Sequence, residues 1–227
     1  MWAVFKKELK SYFLSPIGYV VIGILLLVCS IFFYLTTIQY ASIDLGGLYF
    51  YVALYGLIIT IPILTMRMFA EERKNGTEQL LLTSPISITK IVIGKFIAAL
   101  AIVVITELCT FMYFGILCHY GIPKLTTTFA TLLGFLLFVM AYIAFGMLSS
   151  SITENQIIAG IISIGFFIIT WVLPEFNTSL ESYSFINMFY KYTQGQIDIG
   201  DTVTFITFTI TCLLLTAVVM QRRKSVK

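Results

Sequence analysis

The stretch LLGFLLFVMAYIAFGML, Leu132 to Leu148, decides the fold. It carries no charge and does not alternate between apolar and polar residues, so it cannot be one wall of a barrel with a wet interior. A helix rises about 1.5 Å per residue, and about 20 apolar residues therefore cross a hydrocarbon core of about 30 Å. With its flanks this stretch reads as a membrane-spanning helix. The run VVIGILLLV, Val20 to Val28, reads the same way.

The rest of the chain is of the same kind. Its 227 residues are 59% hydrophobic and 11% charged, with a mean hydropathy of +0.98, which leaves too little polar surface to cover a water-soluble core. Six apolar runs read as spans: Ile17 to Ile38, Tyr49 to Met66, Ile91 to Leu117, Thr128 to Leu148, Ile157 to Leu173 and Val203 to Met220. The expected fold class is all-α integral membrane, with residues 1–227 forming a single membrane domain without internal repeats or linkers.

Charge placement sets the expected orientation. Lys6, Lys7 and Lys10 precede the first span; Arg67, Arg73, Lys74, Lys90 and Lys95 lie between the second and third; Arg222, Arg223, Lys224 and Lys227 follow the last. Only Lys124 and Lys191 fall on the other side. By the positive-inside rule both termini are cytoplasmic and the chain is multi-pass. The formal net charge of +3 is thus a matter of topology, and no nucleic acid partner is expected. The apolar run after Lys10 is too long for a signal peptide and has no small-x-small site behind it, so it stays as a first span.

Two segments outside the spans carry an amphipathic pattern. In residues 1–16, Trp2, Phe5, Leu9, Tyr12 and Phe13 recur at steps of three and four opposite the lysines, as in a helix lying in the membrane interface against lipid head groups. Ser15-Pro16 then turns the chain into the bilayer, because the residue before proline avoids helical geometry. In residues 174–202, Phe185, Ile186, Phe189 and Tyr190 fall on one side of a helix that Gly195 ends, and this segment is expected on the outer face.

The chemistry available is narrow. One histidine excludes the HExxH zinc arrangement, and there is no Gly-x-Ser-x-Gly elbow. Cys29, Cys109, Cys118 and Cys212 have no disulfide or zinc spacing, and Cys118 beside His119 supplies only two ligands from one helix end. IVIGK, Ile91 to Lys95, has Thr89 where a phosphate-binding loop needs glycine, and Phe96 where it needs Ser or Thr. No catalytic residue, cofactor site or metal site is expected in this chain. Glu107, in VVITELCTFMY, is a carboxylate inside the third span; such a group costs on the order of 2.5 kcal/mol or more and faces a bundle interior, a partner or a substrate path. Thr106, Thr110 and Tyr113 are its nearest polar neighbours in sequence.

Between the second and third spans stands AEERKNGTEQLLLTSPISITKIVIGK, Ala70 to Lys95. Gly76 breaks the chain after EERKN, Thr77 is placed to cap a helix, and Glu78 puts a negative charge in its first turn. The helix would run to Thr83, where Ser84-Pro85 stops it. Leu80, Leu81 and Leu82 span too wide an arc to lie against one flat surface. A short rigid helix with an apolar tip and charged flanks suits docking in a cleft of another protein. The docking candidates are Glu71, Glu72, Arg73, Gly76, Thr77, Glu78, Gln79, Leu80, Leu81, Leu82 and Pro85, within residues 70–90.

These residues bring a family into view. EERKNGTEQLLLTSPISITKIVIGKF resembles the segment between spans two and three of ABC-2 type transporter permeases, where an acidic-basic run, Gly-Thr, a Leu-rich helix, Ser-Pro and Gly-Lys follow in that order. FKKELKSYFLSPIGYVV resembles the N-terminal elbow of the branch with gliding-motility and nitrous-oxide-reductase-maturation permeases, and FYKYTQGQIDIGDTVTF, Phe189 to Phe205, resembles that branch's approach to the last span. Glu107 matches no pattern of that family.

The resemblance implies a permease of the bacterial plasma membrane, paired with a second copy or a related permease and with a separate cytoplasmic ABC ATPase that carries the ATP and Mg. Residues 77–83 would act as the coupling helix. Export or extraction of a substrate is the implied activity; the alternative is a non-transporting assembly or mechanotransmission subunit of an envelope complex.

Overall fold

The computed structural model describes residues 1–227 except 41–42, 80–82, 84–85, 122, 177–183 and 227. Helix α1 (Trp2–Leu14) ends at Ser15, whose extended backbone turns the chain, and α2 (Pro16–Phe32) starts with proline at its first position. Proline is favourable there because its missing N–H would have no intrahelical partner. Helix α2 runs on into a π-helical turn, Phe33–Ile38.

The second column is built in pieces: α3 (Gly46–Tyr51), a π-helical segment Val52–Gly56, and α4 (Leu57–Thr65) with Pro62 inside it. A turn at residues 66–69 leads to α5 (Ala70–Lys74). Then follow α6 (Ile88–Tyr120), α7 (Leu125–Ile152), α8 (Gln156–Phe176), α9 (Phe185–Thr193) and α10 (Ile199–Val226).

Five of these columns are long and apolar enough to cross a membrane: Pro16–Ile38, Gly46–Lys74, Ile88–His119, Leu125–Ile152 and Ile199–Lys224. The fifth run of the sequence is carried by α8, whose apolar part, Gln156–Val172, is shorter. Within a helix the interior backbone polar groups bond to one another, the condition hydrocarbon imposes.

Helix α7 is the hub, packing against α3, α4, α6, α8, α9 and α10. Its core is aromatic: Phe138 meets Phe189 of α9 at 5.2 Å, Tyr142 meets Phe167 of α8 at 4.5 Å, and Phe185 meets Phe205 of α10 at 5.5 Å between ring centroids. Ring pairs of this kind add about 0.5–1.5 kcal/mol each beyond the area they bury. Close approach depends on Gly134, where an added Cβ would run into the Tyr192 ring.

The apolar face of α9 therefore lies on α7, with Phe185, Ile186, Met188, Phe189 and Tyr192 buried. Tyr190, grouped with that face by spacing, is about half exposed. Gly195 follows with φ of +82°, the left-handed geometry that ends a helix. Lys191 donates to Asp201 at 2.9 Å, tying α9 to the start of α10, and this bond holds the ammonium pKa above its ordinary value.

Helix α1 lies on α6. Val4 and Tyr12 are its buried residues, while Lys6, Lys7 and Lys10 stay exposed. Gly94 of α6 leaves room for Val4, since a Cβ there would sit 3.0 Å from it. Trp2 stacks on Phe5 at 5.1 Å but remains 73% exposed.

Candidate functional site

The segment between α4 and α6 is held by two charge clusters, both at the end of the bundle where α1 lies. The corner before α5 is sunk into the protein, with Phe69 and Ala70 buried. Their N–H groups, which a helix start leaves without intrahelical partners, both donate to Ser150 Oγ at 3.1 Å, and Ser150 in turn donates to Met66 O. A serine at the end of α7 thus caps α5 from outside.

Arg73 forms the first cluster. Its guanidinium donates to both carboxylate oxygens of Glu78, at 3.2 and 3.3 Å, and to the carbonyls of Ser151, Ile152 and Thr153 at 2.8, 3.4 and 2.7 Å. Those carbonyls end α7 and have no intrahelical donor, so a cation there meets both their hydrogen-bonding need and the negative end of the helix dipole. The side chains of Arg73 and Glu78 are only 8% and 7% exposed. Arg223 of α10 adds a bond to Ile152 O at 3.0 Å and stands 3.9 Å from Glu78.

Lys95 forms the second. The residue is 1% exposed, and its ammonium is 2.9 Å from Glu72 of α5 and 3.1 Å from Glu8 of α1 and sits 5.3 Å above the Phe69 ring. One lysine of α6 therefore binds α1 and α5 together. Charge-assisted bonds of this kind are shorter and about twice as strong as neutral ones.

Gly76 has φ of +70° and stops α5, with its N–H bonded to Arg73 O. The Thr77 hydroxyl donates to Glu72 O at 3.1 Å, folded back over α5. The next helical residues are Glu78 and Gln79, and Thr83 N–H donates to Gln79 O at 3.0 Å. The carboxylate of Glu78 is turned inward to Arg73 rather than along a helix start. Glu71 is partly buried, and Gln79 is exposed. Leu80, Leu81, Leu82 and Pro85 lie outside the described residues.

The structure thus brings together Glu72, Arg73 and Glu78 of the sequence candidates, and adds Glu8, Lys95, Ser150 and Arg223. Lys95 carries a signal in the sequence, since a lysine one turn into an apolar span needs an acidic partner. Glu8 had none, because only the folding of α1 onto α6 brings it to Lys95. Ser150 and Arg223 had none, because only folding brings them to residues 66–78.

Glu107 is 8% exposed and borders a small cavity of about 10 Å³ with Tyr49, Thr106 and Thr110. The neighbours expected to satisfy it are engaged elsewhere. Thr106 donates to Ile102 O, Thr110 donates to the backbone carbonyl of Glu107 and pairs with Tyr49, and Tyr113 pairs with Ser30. Helical threonines return their hydroxyls to the preceding turn, which leaves none for a carboxylate on the same helix. Among the described residues no three His, Cys, Asp or Glu side chains gather as a metal site would require.

The family model described as ABC-2 family transporter protein matches residues 7–220. No curated protein matches the chain.

Proposed function

The chain belongs to the ABC-2 family of transporter proteins, and from that premise we propose that the segment of residues 70–90 is the seat of a separate ABC ATPase. A multi-pass permease subunit of an ABC transporter needs such a partner, and the motor's motion has to enter the membrane part at a stiff point. In this reading the bundle end carrying α1 is cytoplasmic, α8 completes six spans, and two permease chains, identical or related, share two ATPase subunits that hold the ATP and Mg. The chain itself performs no hydrolysis. The cargo is exported or extracted across a bacterial plasma membrane, as in the gliding-motility and nitrous-oxide-reductase-maturation branch.

The observation that supports this reading best is the Arg73 cluster. A push on Glu78 or on the turn at Gly76 passes through the Arg73 guanidinium to the three carbonyls at the end of α7, and reaches α10 through Arg223. Because α7 packs against six other helices, displacement of its end repacks the bundle. The Lys95 pairs carry the same displacement to α1.

The test is Leu81→Asp in the full chain co-expressed with its ATPase. Leu81 would supply the apolar tip, and loss of an interface anchor costs about 2 kcal/mol or more, roughly thirtyfold in affinity. Insertion should be unchanged while ATPase capture falls by that factor. Full capture by the variant would remove this segment from the interface.

A further inference from the structure

A cleft of about 350 Å³ opens between α1, the corner joining α4 to α5, and α6. It is in the size range of small-molecule sites, about 300–1,000 Å³. Two polar atoms of its lining residues are closed off from solvent and have no partner among the described residues: Arg67 Nε, a donor on a cation, and Glu72 Oε2, an acceptor on a carboxylate. The other Glu72 oxygen is taken by Lys95. Buried polar groups are ordinarily paired, and these two do not pair with each other.

The position of the cleft narrows what would fill it. Ile17 lines it one residue into α2, and Met68 lines it just beyond α4, so it opens at the level where the apolar columns begin and end. Lys7, exposed on α1, adds a second cation to the lining beside Arg67, while the third, Lys95, is taken by Glu72 and Glu8. An occupant that satisfies all of this carries an anionic oxygen for Arg67 and Lys7, an N–H donor for Glu72, and an apolar tail that leaves past Ile17 and Met68.

We propose that this cleft binds the phosphoethanolamine headgroup of a phospholipid from the leaflet on the side of α1, with the phosphate at Arg67 and the ammonium at Glu72. The ammonium brings three N–H donors, as a lysine does, and matches the orphan carboxylate oxygen. A choline headgroup has a cation but no N–H. The lining holds three carboxylates and three cations, so a glycerol headgroup, which has hydroxyl donors but no cation, adds a net negative charge to a balanced site. The recognition is thus of a zwitterion with a donor, and it does not depend on where the ATPase docks.

The experiment is native mass spectrometry of the purified full chain, delipidated and titrated with phosphatidylethanolamine, phosphatidylcholine or phosphatidylglycerol of the same acyl chains. Wild type is expected to hold phosphatidylethanolamine at least tenfold more tightly than either of the others. Arg67→Gln should bring it down to the phosphatidylcholine level, and Arg67→Lys should restore part of the difference. If Arg67→Gln does not fold, the ranking of the three lipids on wild type still decides. Equal retention of the three lipids, tighter retention of phosphatidylglycerol, or a preference untouched by a folded Arg67→Gln overturns the proposal. Absence of any lipid preference together with loss of ATPase capture in Arg67→Gln would assign the cleft to a protein side chain, and overturns it as well.

Discussion

Replacing Arg73 by methionine keeps most of the aliphatic stem and removes five hydrogen bonds at once. Glu78, 7% exposed, would keep only Arg223 as a cation, at 3.9 Å. Removing one partner of a buried pair costs about 3–5 kcal/mol. Water reaches this end of the bundle, so the lower figure applies. For a chain of this size each kcal/mol moves the melting temperature by about 2–4 °C, which puts the fall for Arg73→Met at about 6–12 °C. Glu78→Gln is milder: the amide oxygen still accepts from Arg73, three α7 carbonyls remain, and the loss is about 1–2 kcal/mol. Taking both charges away in Arg73→Met/Glu78→Met leaves no unpaired carboxylate, so the double variant should be more stable than Arg73→Met alone. The cycle then shows a coupling of about 2 kcal/mol. Thermal melting of the four proteins in the same detergent measures it. Melting temperatures within 2 °C of wild type for Arg73→Met, or losses that simply add in the double variant, would refute the buried clamp.

Lys95→Met should destabilise by about 3 kcal/mol, because it strands Glu72 and Glu8, and it should loosen α1 enough for trypsin to cut at Lys7 or Lys10 faster than in wild type. Gly134→Ala forces a methyl group into the Tyr192 ring and should cost about 1–3 kcal/mol, read as a lower melting temperature; no loss would mean α9 is not seated on α7 at this point. In a cysteine-free background, single cysteines at Ser225 and Thr178 should label from opposite sides of the membrane. Labelling from one side would refute the six-span arrangement.

What the sequence made legible follows from what a bilayer forbids. Unpaired backbone is intolerable in hydrocarbon, so Leu132 to Leu148 had to be helical, and Ser15-Pro16 and Gly195 punctuate the chain through backbone sterics that need no tertiary context. The segment from Ala70 to Thr83 was legible as an element but not as a contact. Arg73 and Glu78 are five apart across a left-handed glycine, a spacing at which side chains on one continuous helix do not face each other. Lys95 and Glu8 meet only because α1 folds onto α6, and Ser150 reaches the α5 amides only because α7 ends beside them. The Thr77 hydroxyl donates back to Glu72 O, a bond across the Gly76 turn that residue type alone does not specify. The brevity of the apolar part of α8 and the π-helical turns in the first two columns have no composition signature.

The most direct test of force entering through residues 70–90 is hydrogen–deuterium exchange of the permease in nanodiscs, alone, with its ATPase, and with the ATPase trapped by ATP and vanadate. Binding should protect amides in residues 76–83. Trapping should change exchange at the end of α7, residues 149–153, in wild type but not in Arg73→Met, even where the ATPase remains bound. Protection confined to other turns, or a change at 149–153 that persists in Arg73→Met, would contradict the account.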